Sequence, residues 1–322
     1  MKILITGGAG FIGSHLSNKY LNKGHDVYII DDLSTGSRSN IKFLEDNPKY
    51  KKNIFVTIDS IFNRDVMLEL IGICDIVVHL AAAVGVKYII ENPLSSIVTN
   101  IKGTEIVLEY CDKFKKKVFL ASTSEVYGKH THAPLIETDD SIYGPSTKSR
   151  WSYAATKLVD EFTALAYHRT KGLEVIIGRL FNTVGPRQTG RYGMVIPRFI
   201  DQAIKNKPLT VYGDGLQSRT FTYVEDSVEA IIKLMDSTDA IGNVYNIGGK
   251  EEIKILDLAK KIISITGSGS TIKKIPYEKV FSADFEDMQR RVPSTKKIFE
   301  CINWEPSLNI DKILAEIYSS IN

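Results

Sequence analysis

ILITGGAGFIGSH, residues 3–15, decides the fold. A short, partly β-branched strand from Ile3 to Thr6 runs into Gly7, Gly10 and Gly13. An amphipathic helix follows at once, with Phe11, Ile12, Leu16 and Tyr20 on one side. A glycine turn between strand and helix lets a diphosphate approach the backbone, where free N–H groups and the positive end of the helix dipole face the anion. A glycine triplet alone is also an ordinary tight turn. Here a second strand, 26–30, ends in Asp31, at the spacing expected for a carboxylate that binds a ribose. The pattern therefore predicts a dinucleotide site, with Gly7, Gly10, Phe11, Ile12, Gly13 and Asp31 against the cofactor.

Working outward, strand and helix alternate through the first 180 residues. Strands are expected at 2–6, 26–30, 53–58, 76–80, 118–121 and 174–179, and long helices at 92–114 and 151–170. Short apolar strands separated by helices predict an α/β fold, a Rossmann-type doubly wound parallel sheet. Beyond Arg179 the rhythm breaks, and Pro186, Pro197, Pro208, Pro276, Pro293 and Pro306 punctuate shorter elements. Helices at 195–205, 226–236 and 256–266 and strands at 210–212, 220–223 and 244–247 are expected. We read residues 1–180 as the dinucleotide-binding domain that carries the catalytic residues. Residues 181–322 form a smaller α/β substrate-binding domain, with the chain crossing between the two.

Composition narrows the function class. The chain has 322 residues and 41 basic against 38 acidic side chains, a net charge of +3, too balanced to argue for nucleic acid. Cys74, Cys111 and Cys301 are few, odd and far apart, as free thiols in a reducing compartment would be. The sequence opens directly on a core strand, so no signal peptide is expected before it, and no apolar run is long enough to span a bilayer. The expectation is a cytoplasmic enzyme with neither membrane nor nucleic acid as partner.

Further residues carry chemistry. Asp31 would repel a 2′-phosphate and so favours NAD over NADP. Asp32 caps the following loop, and Arg38 nearby is the one feature that would suit a phosphate. Asp59, with Ser60, ends the third strand and either meets the adenine or closes a turn. His79-Leu80-Ala81-Ala82 ends the fourth strand with small side chains that admit a cofactor, and His79 is read as a packed histidine. Tyr153 and Lys157, four apart on one helical face, form a phenol–ammonium pair suited to taking an alcohol proton during hydride transfer. At the end of the fifth strand Thr123 hydrogen-bonds the same substrate oxygen, and Glu125, two residues on, faces the same side.

With these residues in place, the chain resembles the extended short-chain dehydrogenases/reductases that remodel nucleotide sugars. The resemblance is carried by TGGAGFIGSH (6–15), Asp31, HLAA (79–82), Asn100 with Gly103-Thr104, STSEVYG (122–128), YAATK (153–157), RLFNTVGPRQ (179–188) and VYGDGLQSRTFTYVEDSVEA (211–230). It implies NAD as cofactor, with Asn100 among its contacts. It also implies that Thr123, Tyr153 and Lys157 deprotonate a sugar 4-hydroxyl. Ser124, Arg150, Asn182, Arg187, Val195, Val211, Tyr212 and Arg219 are implied to face the substrate, and Arg290 or Arg291 to contact phosphate or ribose. A homodimer through helices flanking the Tyr-Lys helix is implied as well. Segments 84–86, 187–192 and 282–285 are expected to choose the sugar.

Within that family Thr123-Ser124-Glu125 departs from the Thr-Asp-Glu of 4,6-dehydratases, and Glu125 speaks against a simple 4-epimerase. The branch favoured on sequence is a 5,6-dehydratase acting on UDP-GlcNAc, with Glu125 removing the C5 proton. The alternative is a UDP-glucuronate decarboxylase, with Arg150 or Arg187 near the carboxylate. A non-catalytic NAD sensor is disfavoured, because such proteins commonly lack the Tyr-Lys pair.

Overall fold

The computed structural model describes residues 1–190, 194–279, 286 and 288–321. Its first half runs β1 (Lys2–Thr6), α1 (Phe11–Asn22), β2 (Asp26–Asp31), α2 (Ser39–Glu45), β3 (Ile54–Ile58), α3 (Arg64–Ile73), β4 (Ile76–His79), α4 (Val86–Glu91), α5 (Pro93–Phe114), β5 (Lys117–Thr123), α6 (Ser152–Lys171) and β6 (Val175–Leu180). The remainder adds β7 (Thr183–Val184), α7 (Val195–Ile204), β8 (Leu209–Tyr212), β9 (Ser218–Thr220), β10 (Thr222–Tyr223), α8 (Val224–Asp236), β11 (Asn243–Ile247), β12 (Glu252–Lys254), α9 (Ile255–Thr266), β13 (Ile272–Ile275), β14 (Arg290–Arg291), α10 (Lys296–Ile302) and α11 (Ile310–Ser319).

Seven strands form one parallel sheet in the order β11-β6-β5-β4-β1-β2-β3. The order reverses between β1 and β4, the crevice where doubly wound sheets bind ligands. Layers of helix bury both faces, which is why the central strands carry nearly unbroken apolar runs. One face packs on α1, α2, α8 and α10 through Leu16, Tyr20, Leu44, Val228, Ile231 and Ile298. The other packs on α3, α5 and α6 through Met67, Leu70, Val107, Leu108 and Ala164. A third core, built by α7, α9 and α11 around Phe199, Leu258 and Leu314, lies apart from these two.

The end signals are local. Asn63 caps α3 by accepting from the Val66 N–H, and α6 stops at Gly172 in the left-handed region (φ +70). Two expectations are corrected. Residues 244–247 belong to the seventh strand of the main sheet, paired in parallel with β6. Their apolar side chains, Tyr245 and Ile247, join the first core, so the distal half returns to complete the proximal sheet. Residues 220–223 are not one strand. The chain changes sheets at Phe221, so that β9 pairs with β12 and β14 while β10 pairs with β7. Among the described residues no helix is long and apolar enough to cross a membrane.

Candidate active site

A cleft of about 1360 Å³ opens at the carboxyl ends of the strands. That is larger than a site for one small ligand, typically about 300–1,000 Å³. At one end lies the glycine turn. Gly7 sits at φ +71, and a Cβ there would come 2.8 Å from the Ala81 nitrogen. A Cβ on Gly13 would come 2.2 Å from the Gly7 oxygen. Only hydrogen fits at either place, so the backbone itself forms this wall together with Gly10, Phe11 and Ile12. Gly10 precedes α1 with no side-chain cap, which leaves the helix start for an anion.

The carboxylate of Asp31 accepts from the Ala9 N–H at 2.9 Å and the Leu33 N–H at 2.8 Å, and burial shifts its pKa upward. It thus anchors the glycine turn as well as facing the cleft. Asp32 caps the next loop through Ser34 at 2.9 and 2.6 Å. Asp59 lines the cleft but is engaged by the Ser60 N–H (2.7 Å) and Asn63 (2.8 Å), and Ser60 lines it beside Asp59. Arg38, the one residue suited to a 2′-phosphate, is drawn off to Glu45 at 3.0 Å. A glycine cradle, an open helix start and an acid beside it fit a dinucleotide with an unphosphorylated ribose. Leu80, Ala81 and Ala82 form the floor. His79 lies behind them between Thr6 (2.7 Å) and Thr104 (3.3 Å), and burial lowers its pKa to about 3, so it stays neutral.

In the middle of the cleft Thr123, from the end of β5, and Tyr153, from the first turn of α6, line the same wall. Burial pushes the Tyr153 phenol up, and the Glu125 charge adds to that; the Thr123 hydroxyl and Arg150 act the other way. Lys157 was expected to hold the phenol down. Its ammonium instead pairs at 3.0 Å with Asp160, both buried, so a carboxylate one turn on absorbs the charge. The Lys-x-x-Asp spacing carries that signal.

The far end is a guanidinium cluster. Arg150 donates to Glu125 Oε2 at 2.5 Å. Arg291, from β14, approaches Glu125 Oε1 and Ser124 Oγ at 3.4 Å each and donates to Asn182 Oδ1 at 3.3 Å. Asn182 is held in turn by donating to the Thr220 carbonyl at 2.8 Å. Burial alone would raise the Glu125 pKa, but Arg150, Arg291 and Arg219 outweigh it and hold it at about 2. Arg187 lines the cleft nearer the glycine end, at φ +69, donating to His15 at 3.1 Å. His15 is fixed by Glu225 at 2.6 Å.

Most of the expected positions converge on this cleft; three do not. Val211 is fully buried in the third core, because alternate residues of β8 face opposite ways and Tyr212 takes the cleft side. Arg290 points away and pairs with Glu252 at 2.7 Å, since β14 turns Arg291 inward. Asn100 is buried behind the wall, where it accepts from the Ala83 N–H at 2.8 Å and donates to Thr156 at 3.2 Å. It positions the cofactor wall rather than touching the cleft. Tyr192, residues 282–285 and the Val86 side chain lie outside the described residues. The sequence reading missed Arg198, which lines the cleft beside Val195 with its guanidinium 4.0 Å from the Tyr212 ring centroid. It also missed Gln217, Phe221 and Tyr277.

Comparison with known proteins agrees with this geometry. The family described as GDP-mannose 4,6 dehydratase matches residues 4–317. The chain belongs to this family of extended short-chain dehydrogenases/reductases. The family's members act on nucleotide sugars, as dehydratases, decarboxylases or epimerases. A UDP-N-acetyl-alpha-D-glucosaminuronate decarboxylase of Bacillus cytotoxicus is 44% identical over 316 residues, 98% of this chain and 96% of that protein. UDP-glucuronic acid decarboxylase 1 of Arabidopsis thaliana is 35% identical over 99% of this chain and 69% of its own length. Among solved structures, a UDP-glucuronic acid 4-epimerase of Bacillus cereus, in complex with UDP-glucuronic acid and NAD, superposes with a TM-score of 0.88 at 32% identity, covering 100% of this chain and 99% of that one. The dTDP-glucose 4,6-dehydratase DesIV of Streptomyces venezuelae, with NAD bound, gives 0.88 at 28% identity over 99% and 96%.

Proposed function

We propose that this family member is an NAD-dependent decarboxylase of a UDP-linked hexuronic acid, with UDP-N-acetylglucosaminuronate the first substrate to try. In this reading residues 1–180 hold the dinucleotide and residues 181–322 cover the sugar nucleotide. The observation that carries it is the state of Glu125. A carboxyl held at about 2 by neighbouring arginines is ionised and a weak base. Dehydration demands a base for the C5 proton, which the sequence reading assigned to Glu125. Decarboxylation needs none, because the C5–C6 bond supplies the electron pair. Two guanidiniums, Arg150 and Arg291, meet the one Glu125 carboxylate, and a third, Arg219, lines the same cleft, which leaves net positive charge for a diphosphate and a sugar carboxylate.

Oxidation and re-reduction at C4 is the chemistry NAD supplies when held by Gly7, Gly10, Gly13 and Asp31. Tyr153 serves as base in its ionised form, which the positive nicotinamide ring of bound NAD would favour against the burial that raises it; the phenolate then takes the 4-hydroxyl proton, with Thr123 fixing the oxygen. A C4 ketone makes the C6 carboxylate a β-keto acid. Carbon dioxide leaves, and the electron pair of the C5–C6 bond moves through C5 to the C4 oxygen, where Thr123 and Tyr153 stabilise it; a proton delivered through water then adds at C5 and restores the C4 ketone for re-reduction. Arg150 and Arg291 orient the carboxylate, and Glu125 fixes both guanidiniums.

The 5,6-dehydratase acting on UDP-GlcNAc stands second, supported by the placement of the Glu125 carboxylate beside Tyr153. Mass spectrometry separates the readings: the protein and NAD are incubated with UDP-N-acetylglucosaminuronate, UDP-glucuronate and UDP-GlcNAc in turn. Loss of carbon dioxide from a uronate supports the proposal. Loss of water from UDP-GlcNAc replaces it with the dehydratase, and an unchanged mass with inverted C4 replaces it with an epimerase. Exposed Phe162 (65%) and Val159 (44%) on α6 support a homodimer through that face.

A further inference from the structure

Outside the cleft, two histidines are arranged in a way the reaction does not use. His130 and His132 lie in the segment between Gly128 and Ile142, and their Nδ1 atoms are 3.3 Å apart with the rings nearly perpendicular, at 80°. The other ring nitrogens decide the tautomers. His130 Nε2 is 2.6 Å from the Asp140 backbone oxygen, and His132 Nε2 is 3.1 Å from Asp139 Oδ2. A carbonyl and a carboxylate only accept, so both Nε2 atoms carry hydrogen and donate. In the neutral rings both Nδ1 atoms are then bare, and two lone pairs are brought within 3.3 Å of one another. Such an arrangement is relieved by a proton shared between the rings or by a cation between them.

We propose that His130 and His132 form a two-imidazole chelate for a late first-row dication such as Zn²⁺. Imidazole ligands sit about 2.0–2.1 Å from zinc, and the edge of a tetrahedron of that size is about 3.3 Å, the separation found. A ligating histidine ordinarily donates its second N–H to a carboxylate or carbonyl, which fixes the ring and strengthens it as a ligand. Asp139 and the Asp140 carbonyl already occupy those places. Asp139 is itself held by the Ile136 N–H at 2.8 Å. The segment is closed at its base, with Lys129 N–H donating to the Ile142 carbonyl at 2.7 Å. It is pinned to the chain around β14 by Leu135 N–H to the Val292 carbonyl (2.8 Å) and Ser294 N–H to the Leu135 carbonyl (2.7 Å). The His132 side chain is 53% exposed, so an ion has access. Among the described residues no group of three or more His, Cys, Asp and Glu side chains is placed to hold a metal ion. The site is therefore a bidentate one whose remaining positions are filled by water, and its metal class is the one imidazole favours: Zn²⁺, Ni²⁺ or Cu²⁺ over Mg²⁺ or Ca²⁺.

The test is calorimetric titration of untagged, chelator-treated full-length protein with ZnCl₂ at neutral pH, and separately with MgCl₂. One equivalent of Zn²⁺ and no Mg²⁺ is expected. His130→Gln and His132→Gln, which keep polar side chains on the loop, each abolish the event. Asp139→Asn weakens it by about 10-fold or more, and Cys301→Ser leaves it unchanged. Melting temperatures measured on the metal-free variants show that the loop and fold survive the changes. Absence of Zn²⁺ binding in the wild type would mean the pair only shares a proton. Binding undiminished in the His130→Gln/His132→Gln double variant would put the ion elsewhere. Either result overturns the proposal, and neither depends on which sugar nucleotide the cleft accepts.

Discussion

The two ends of the cleft are made in different ways. The glycine end is nearly all backbone and comes from one run of the chain, residues 7–13, with Asp31 hydrogen-bonded back onto it. The arginine end is all side chain. Its members, Ser124 and Glu125, Arg150, Asn182, Arg219 and Arg291, arrive from five places spread over 167 residues. The first is rigid because any added carbon collides with main chain. The second holds by charge, so its strength depends on pH and on every partner being present. A family can therefore keep one cofactor while changing its reaction: the glycine end tolerates almost nothing, whereas one altered charge at the other end resets the chemistry.

The sharpest way to break this contrast is at the junction. Tyr153→Phe is expected to lower kcat by about 10²–10⁴ with NAD binding unchanged, as a fluorescence titration would show. Weakened NAD binding would mean that the two ends are not separable at this residue.

At the arginine end, Glu125→Gln tests charge against shape. The Glu125 pKa falls from 4.5 in the unfolded chain to about 2 in the fold, so its stabilising contribution is present above about pH 4.5 and lost as pH falls toward 2. Its size is on the order of 3 kcal/mol. Urea unfolding from neutral to acidic pH should show the wild type losing that increment, and Glu125→Gln should have a flatter acid limb. Equal slopes would remove the ion-pair account of this end, and with it the reason for preferring decarboxylation.

The glycine end responds in the opposite sense. Gly13→Ala forces a carbon to 2.2 Å from the Gly7 oxygen. It should cost about 1–3 kcal/mol of stability at every pH and weaken NAD binding, seen in melts with and without the cofactor. A pH-dependent loss would blur the distinction between the two ends.

The finest comparison is between neighbours. Arg291→Ala should raise KM for the sugar nucleotide by about 10-fold, the worth of one charge-assisted contact. Arg290→Ala, which breaks an exposed pair with Glu252, should change KM less than about twofold and stability by under about 1 kcal/mol. Equal effects in steady-state kinetics would mean that β14 presents both residues to the ligand.

Legibility followed the same division. The Gly7–Gly13 turn, Asp31, HLAA and the Tyr153–Lys157 spacing were readable because each is a local pattern whose geometry is set within a turn or a strand end. The six proximal strands were readable for the same reason. Neither the inward turn of Arg291 nor the outward turn of Arg290 was readable, since a two-residue strand with charges on both faces has no hydrophobic pattern to orient it. The diversion of Lys157 to Asp160 was missed because an i,i+3 pair is ordinarily a surface contact, and here burial makes it the dominant one. Arg198 carries no motif, and only the meeting of α7 with β8 brings it over Tyr212.

The sequence by itself determined the Rossmann-type sheet, the dinucleotide cradle and the placing of Tyr153 and Lys157 on one helical face, because hydrophobic period, glycine sterics and helical spacing act over a few residues. Tertiary structure alone decided the state of Glu125, the return of β11 to the main sheet and the inward arginine of β14. Each of those depends on groups more than 20 residues apart in the chain meeting out of water, where an unmatched charge is costly and the partner chosen sets the chemistry.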